Sequence, residues 1–303
     1  MSMSTNKKWV PYLLISLSAI LLLVFFLIPF CQLVLYSFWE NVPGSNIPNP
    51  SFTLDNYYHL LVEEGPYYMK IYGNTIRLAV ISTAVTFVVS YPLAWYIAQK
   101  RGMVKSFLII LMMLPMIGGA MIQTLGWIIM LSPIGVINGF LTSLGLIDRP
   151  IQFLGEELGV VIGLIQSYIP MMVLPLVTAL GTLDPNLEAA ARSLGAGFFT
   201  SFFRVTVPLT LPGAIAGGVL VFLANLTSFV TPQLLGQGKI PVFGTVAYTQ
   251  GIEVMNYPFA SAFALFPMAV VLVGMALYHL ILKRIFRASR SQPAPVSKGG
   301  AAA

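Results

Sequence analysis

Long apolar runs alternate with short polar ones along this chain, and the lengths of the runs decide its class. Six stretches are apolar nearly throughout: Val10 to Phe38, Ile71 to Ala98, Val104 to Leu131, Leu158 to Leu180, Val207 to Leu235 and Phe259 to Ile285. Each has about 20 residues or more, the length at which a helix crosses a hydrocarbon core of about 30 Å. The pattern predicts an all-α membrane protein with six transmembrane helices. Composition agrees, since 57% hydrophobic and 9% charged residues with a mean hydropathy of +0.85 exceed what a soluble core of 303 residues uses.

Charge sets the orientation. With the N-terminus in the cytoplasm, the inner segments hold Lys7, Lys8, Lys100, Arg101, Lys105, Arg192, Arg204, Lys283, Arg284, Arg287, Arg290 and Lys298. The outer ones hold only Lys70, Arg77, Arg149 and Lys239. Twelve basic residues against four is a positive-inside bias, so both termini are expected to be cytoplasmic. The acids lean the other way, with only Asp184 and Glu188 inside. The net charge of +6 is thus accounted for by topology, and no nucleic-acid partner is expected.

The first run follows Lys7 and Lys8 as in a signal peptide, but it is about twice the roughly 7 to 15 apolar residues such a peptide uses. An uncleaved anchor is expected. The single cysteine, Cys31, lies within it, has no intrachain disulfide partner and reads as a packing residue. The outer segment Trp39 to Lys70 carries Pro43, Pro48, Pro50 and Pro66 among Glu40, Asp55, Glu63 and Glu64. It is too polar and broken to span, and is an external docking candidate. Ser132 to Glu157 and Gly236 to Pro258, the other outer loops, are long enough to fold back on the membrane surface. The residues after Ser289 have a disordered composition, and no internal repeat or soluble domain is visible.

One inner segment differs from all others: LDPNLEAAARSLGAGFFTSFFRVTVP, from Leu183 to Pro208. Asp184 is a favourable N-cap, Pro185 suits the first helical position, and Gly195 suits the left-handed residue beyond a helix end. A helix of about 15 Å over Pro185 to Leu194 follows. Burying Asp184, Glu188 and Arg192 at the bilayer centre would cost about 8 kcal/mol, so this helix lies outside the membrane. Leu187, Ala190, Ala191 and Leu194 form a narrow apolar stripe, flat where the alanines sit, beside an i, i+4 pair of Glu188 and Arg192. Phe198, Phe199, Phe202 and Phe203 then recur at helical spacing, as in a segment held at the membrane interface. On these grounds alone the segment is either a docking lever or an incidental amphipathic connector.

The segment resembles the cytoplasmic loop of permease subunits from binding-protein-dependent ABC importers. Their motif runs Glu-Ala-Ala, three residues, Gly, nine residues, then Ile, any residue, Leu and Pro. Anchored on Gly195, the alanines match Ala190 and Ala191, Val205 and Val207 replace the aliphatics, and Pro208 matches. The acid departs from it, since Ala189 occupies the motif position and Glu188 points about 100° away around the helix. Further segments are similar to the polyamine-type permeases of that superfamily: NTIRLAV from Asn74, YPLAWYIA from Tyr91, LPMIGG from Leu114, YIPMMVLPL from Tyr168, SFVTPQLLG from Ser228 and NYPFASAFAL from Asn256.

This resemblance implies a type I ABC importer permease fold (MetI-like) in a bacterial inner membrane. It also implies two cytoplasmic ABC ATPase subunits, a second permease subunit and a periplasmic or extracellular solute-binding protein as partners, besides membrane lipid. ATPase contact would fall on Leu187, Glu188, Ala190, Ala191, Arg192, Leu194, Gly195 and Pro208. The expected domains are an anchor and external loop over 1–70, a transmembrane domain over 71–287 with its coupling loop at 181–208, and a cytoplasmic tail over 288–303. Relatives often carry a basic residue where this chain has Gln123 and an acid near Ser228. The difference points to a less charged or zwitterionic solute, opine-like or amino-acid-derived, beside the polyamine-like one.

Polar residues within spans are expensive in lipid and mark candidate pathway positions: Gln123, Gln166, Tyr168, Asn225, Thr227 and Ser228. Interhelical hydrogen bonding is the alternative for each. Pro170, Pro175, Pro212 and Pro232 are expected to kink or bound the fourth and fifth spans. No phosphate-binding Gly-rich loop occurs, and His59 and His279 lack a ligand set, so no cofactor, metal or catalytic residue is assigned. A stand-alone secondary carrier is the rival, but it needs an ion-coupling carboxylate within the spans. An intramembrane enzyme needs a catalytic pair at membrane depth, and neither feature is evident.

Overall fold

The computed structural model describes Ser16, residues 19–42, residues 47–269 and Leu272. In chain order the helices are α1 (Ala19–Tyr36), α2 (Asp55–Tyr58), α3 (Gly65–Ala98), α4 (Gly102–Ile117), α5 (Gly119–Leu131), α6 (Val136–Ser143) and α7 (Glu157–Gly181). They continue as α8 (Pro185–Ser193), α9 (Phe198–Leu209), α10 (Leu211–Thr227), α11 (Val230–Leu235), α12 (Phe243–Tyr248) and α13 (Tyr257–Ala269). Among the described residues there is no strand, only an isolated antiparallel bridge between Glu40 and Asn49. The chain divides into two compact units, residues 64–249 and residues 1–63 with 250–303.

In the larger unit, α3 packs along α7 and α10. Tyr91, Ala94 and Ile97 of α3 meet Met172, Val173, Leu176, Val177 and Leu180 of α7 and Ala214 and Val221 of α10. Lipid is as apolar as these side chains, so close packing rather than water exclusion holds the three helices together. Gly213 and Gly217 of α10 set the distance. A Cβ at Gly213 would lie 2.9 Å from the Pro175 carbonyl oxygen and against the Ala179 methyl, and one at Gly217 would lie 3.0 Å from the Met172 sulfur. A second core joins Leu131 of α5, Val160 and Leu164 of α7 and Leu235 of α11 with Phe153 and Leu154.

Two expected spans are not single rods. The run Val104 to Leu131 breaks between α4 and α5, where Gly119 adopts φ +73° after Pro115 in the last turn of α4. The run Val207 to Leu235 bends by 66° between α9 and α10 at Thr210, and breaks again at Ser228 and Phe229 before α11. Among the prolines, Pro170 and Pro175 lie inside an unbroken α7, whereas Pro212 sits in the first turn of α10. Four stretches are long and apolar enough to cross a membrane: Ala19–Tyr36, Gly65–Ala98, Gly119–Ser143 and Glu157–Gly181. A fifth is α9 with α10 taken as one bent span. The last expected run is described only through Ala269; its remainder, with His279 and the tail, lies outside the described residues, as does the start of the first run.

In the smaller unit, α1 exposes its apolar side chains all round, as a helix in contact with lipid does. The loop after it is tightly folded. The buried Asn56 donates to the carbonyls of Ser37 (3.1 Å) and Trp39 (2.9 Å), and the Tyr57 hydroxyl donates to Ser37 Oγ (2.9 Å). His59 has a carboxylate partner after all: its Nδ1 lies 2.8 Å from Glu63, four residues on through a π turn.

Candidate coupling loop and translocation pathway

Helix α8 is closed at both ends by its own sequence. The Asp184 carboxylate accepts from the Asn186 N–H at 2.9 Å, Pro185 opens the first turn, and Leu194 is the C-cap. Gly195 follows at φ +86°, a conformation that costs a side-chain-bearing residue about 1–2 kcal/mol, with nothing near its missing Cβ. The Gly195 N–H donates to the Arg192 carbonyl (3.0 Å) and the Ala196 N–H to the Ala191 carbonyl (3.1 Å), so the last turn is satisfied by backbone alone. On the surface, Arg192 pairs with Glu188 at 2.7 Å and lies 5.7 Å from the Phe198 ring centre. Leu187 and Leu194 are 45% and 90% exposed, with Ala190 between them also exposed. The capped helix thus presents Leu187, Ala190 and Leu194 as an exposed apolar stripe.

Helix α9 fastens this lever to the spans. Phe198 and Phe202 pack edge-on against Trp95 of α3 with ring centres 5.7 and 6.2 Å away, and Phe202 also meets Tyr91 at 5.4 Å. Phe199 and Phe203 remain 73% and 62% exposed. Of the four phenylalanines, Phe198 and Phe202 meet α3 while Phe199 and Phe203 remain exposed, because the i, i+4 spacing within each pair puts the two pairs on helix faces about 100° apart. At the bend after Pro208, the Tyr91 hydroxyl and Thr210 Oγ1 are 2.6 Å apart and buried. The sequence assigns Tyr91, Trp95 and Thr210 no role in holding α9, and the aromatic residues of YPLAWYIA are its only signal for that contact.

The pathway candidates divide into two groups. Tyr168, Asn225 and Ser228 come together at the end of α10. The Tyr168 hydroxyl donates to the Ala224 carbonyl (3.1 Å) and reaches the Ser228 side chain, and Asn225 Nδ2 donates to Thr83 Oγ1 of α3 (3.3 Å). Buried Asn225 Oδ1 and Gln166 Oε1 have no protein hydrogen-bond partner among the described residues. Ser82 and Ser90, in a buried polar row with Thr86 on α3, are likewise unpartnered at Oγ. By contrast, Gln123 gives its amide N–H to the Pro115 carbonyl across the α4–α5 break, and exposed Thr227 bonds back to Leu223 and Ala224 of its own helix. The break itself is packed, since a Cβ at Gly244 of α12 would collide with the Ser228 carbonyl and lie 2.9 Å from the Phe229 Cβ. Irregular backbone at membrane depth is tolerated where protein or a cavity surrounds it.

No protein-family model matches the chain. It is 35% identical over 241 residues to the spermidine/putrescine transport system permease protein PotB of Haemophilus influenzae, covering 80% of this chain and 83% of that protein. Over 248 residues it is 32% identical to the inner membrane ABC transporter permease protein YdcU of Escherichia coli, covering 78% and 77% respectively. In fold it is similar to a bacterial ABC transporter involved in the import of alginate, with a TM-score of 0.69 at 22% identity, covering 92% of this chain and 97% of that one. A second crystal structure, the alginate transporter in complex with a pentasaccharide-bound periplasmic protein, matches with a TM-score of 0.71 at 20% identity.

Proposed function

Because this chain belongs to the spermidine/putrescine-type permease family of binding-protein-dependent ABC importers, we propose that it carries a small amine-bearing organic solute, polyamine-like or amino-acid-derived, across the bacterial inner membrane by alternating access. Two cytoplasmic ATPase subunits hydrolyse ATP, a second permease completes the pore, and an external binding protein delivers the solute. Both termini lie in the cytoplasm, as the distribution of basic residues supports. One observation carries the reading: α8 is a short, doubly capped helix whose apolar stripe at Leu187, Ala190 and Leu194 is uncovered, while α9 is bolted to α3. Docking that stripe in an ATPase groove lets closure of the ATPase dimer pull on α3 and α10 through Trp95, Tyr91 and Thr210.

The solute is proposed to meet Tyr168, Asn225 and Ser228, with Gln166 further along α7. These groups are polar and uncharged, which favours a zwitterion or a partly neutralised amine over a fully charged polyamine. The test is ATP-driven uptake by the transporter reconstituted from this chain, its second permease, the ATPase and the binding protein. Leu194→Asp and Gly195→Asp are expected to abolish uptake and ATPase association while the permease still inserts and folds. Unchanged uptake and association in both variants would sink the lever. Uptake that collapses with an uncoupler at constant ATP would favour the secondary-carrier alternative.

A further inference from the structure

Beside α8, the end of α3 and the start of α4 bound a cavity of about 830 Å³, within the size range of small-molecule sites. We propose that it holds the phosphate of an anionic phospholipid, with the glycerol and upper acyl chain against its apolar wall. The inference rests on the proposed orientation, which puts this end of the spans at the cytoplasmic leaflet.

Three basic residues, Lys100, Arg101 and Lys105, line the cavity, and none is in an ion pair among the described residues. The two acids that share the wall are already engaged, Asp184 in capping α8 and Glu188 with Arg192. With Arg192 the lining holds four basic residues against two acids, so the cavity presents a net charge of +2 to one anion. Their placement is set by the fold. Gly102 at φ +59° turns the chain sharply between α3 and α4, so that Lys100 and Lys105 flank one turn. The Lys100 ammonium lies 4.3 Å from the Tyr96 ring centre, and Lys105 Nζ reaches across Gly181 to the open C-terminal end of α7.

A bare ion would not need the rest of the site. Leu180, Leu183 and Leu209 add apolar side chains to the lining, and Trp95 also lines the cavity, the kind of side chain that settles at headgroup depth. Basic and apolar residues lining one cavity match a lipid with one anionic headgroup. Because α8 forms the opposite wall through Asp184, Leu187 and Glu188, a lipid seated here bridges the coupling helix to α3 and α4.

The experiment uses the assembled transporter in detergent, with dihexanoyl phosphatidylglycerol, dihexanoyl phosphatidylcholine and inorganic phosphate as probes and thermal unfolding as readout. Phosphatidylglycerol is expected to raise the midpoint saturably, and the other two are not. Lys100→Gln/Arg101→Gln/Lys105→Gln is expected to weaken the effect about 100-fold, as loss of three surface cations near an anionic headgroup should. Lys100→Arg/Lys105→Arg is expected to retain it, which separates lost charge from a damaged fold. Equal protection by phosphatidylcholine, or full protection of the triple variant, overturns the proposal. Protection by inorganic phosphate alone makes the site one for a free anion and overturns it too. Membrane-impermeant labelling of Arg101→Cys in a Cys31→Ser background reads the orientation independently: labelling only from outside sinks the topology, and the lipid result then stands or falls separately.

Discussion

Three glycines on one helix provide a matched test of how α10 is held. Gly213, Gly217 and Gly218 all lie inside α10, so alanine at each gains the same intrinsic helix preference, about 1 kcal/mol. They differ in what the new methyl meets. At Gly213 it overlaps the Ala179 methyl and sits 2.9 Å from the Pro175 carbonyl oxygen, backbone that is locked in α7. Overpacking of that kind costs about 1–3 kcal/mol, so Gly213→Ala is expected to lose up to about 2 kcal/mol net. At Gly217 the Met172 sulfur at 3.0 Å can move aside but the Met172 carbonyl oxygen at 3.2 Å cannot, so the change should fall between those at Gly213 and Gly218. At Gly218 nothing lies within 4 Å, and alanine should be neutral or stabilising by up to about 1 kcal/mol. Thermal unfolding of the purified chain in detergent reads the series, at about 2–4 °C per kcal/mol. Equal midpoints for Gly213→Ala and Gly218→Ala would refute the close approach of α10 to α7.

Other sites test single interactions. Asn138, buried in α6, donates to the Ser132 and Ile151 carbonyls and accepts from the Ile151 N–H at 2.8 Å; Asn138→Ala should cost about 2–3 kcal/mol and expose the 132–157 loop to proteolysis. Asp184→Ala removes the cap of α8 and should cost about 1 kcal/mol, seen as about fivefold faster amide exchange over residues 185–193 with little change in the global midpoint. Asn225→Leu keeps the branched shape and removes an unpartnered carbonyl oxygen along with the bond to Thr83 Oγ1, so stability should change by no more than about 1 kcal/mol while solute uptake falls about tenfold or more; a larger stability loss with normal uptake would make Asn225 a structural residue.

The local features were legible from sequence to within a residue. Asp184, Pro185 and Gly195 announced α8 because capping and left-handed backbone depend on residues a few positions apart, and the helix ends at Ser193 with Leu194 as cap. The positions of the apolar runs were equally readable, because lipid selects length and composition. The breaks inside two of them were not. Gly119 is one glycine among 26, and Ser228 in an apolar run reads as an ordinary span residue until α12 places Gly244 against its carbonyl. The four phenylalanines after Gly195 share one period, and only the packing of α9 on α3 divides them into a packed pair and an exposed pair.

By itself the sequence determined that this chain lives in a membrane and where a short capped helix interrupts its apolar runs. Those outcomes follow from transfer energies and from interactions between near neighbours. Only the tertiary structure decided which polar groups meet. It sent Gln123 to a freed backbone carbonyl, gathered Tyr168, Asn225 and Ser228 at a helix break, and brought Lys100, Arg101 and Lys105 to the lining of one cavity. Contacts between residues far apart in the chain depend on how helices cross, and small residues such as Gly213 set that crossing one atom at a time.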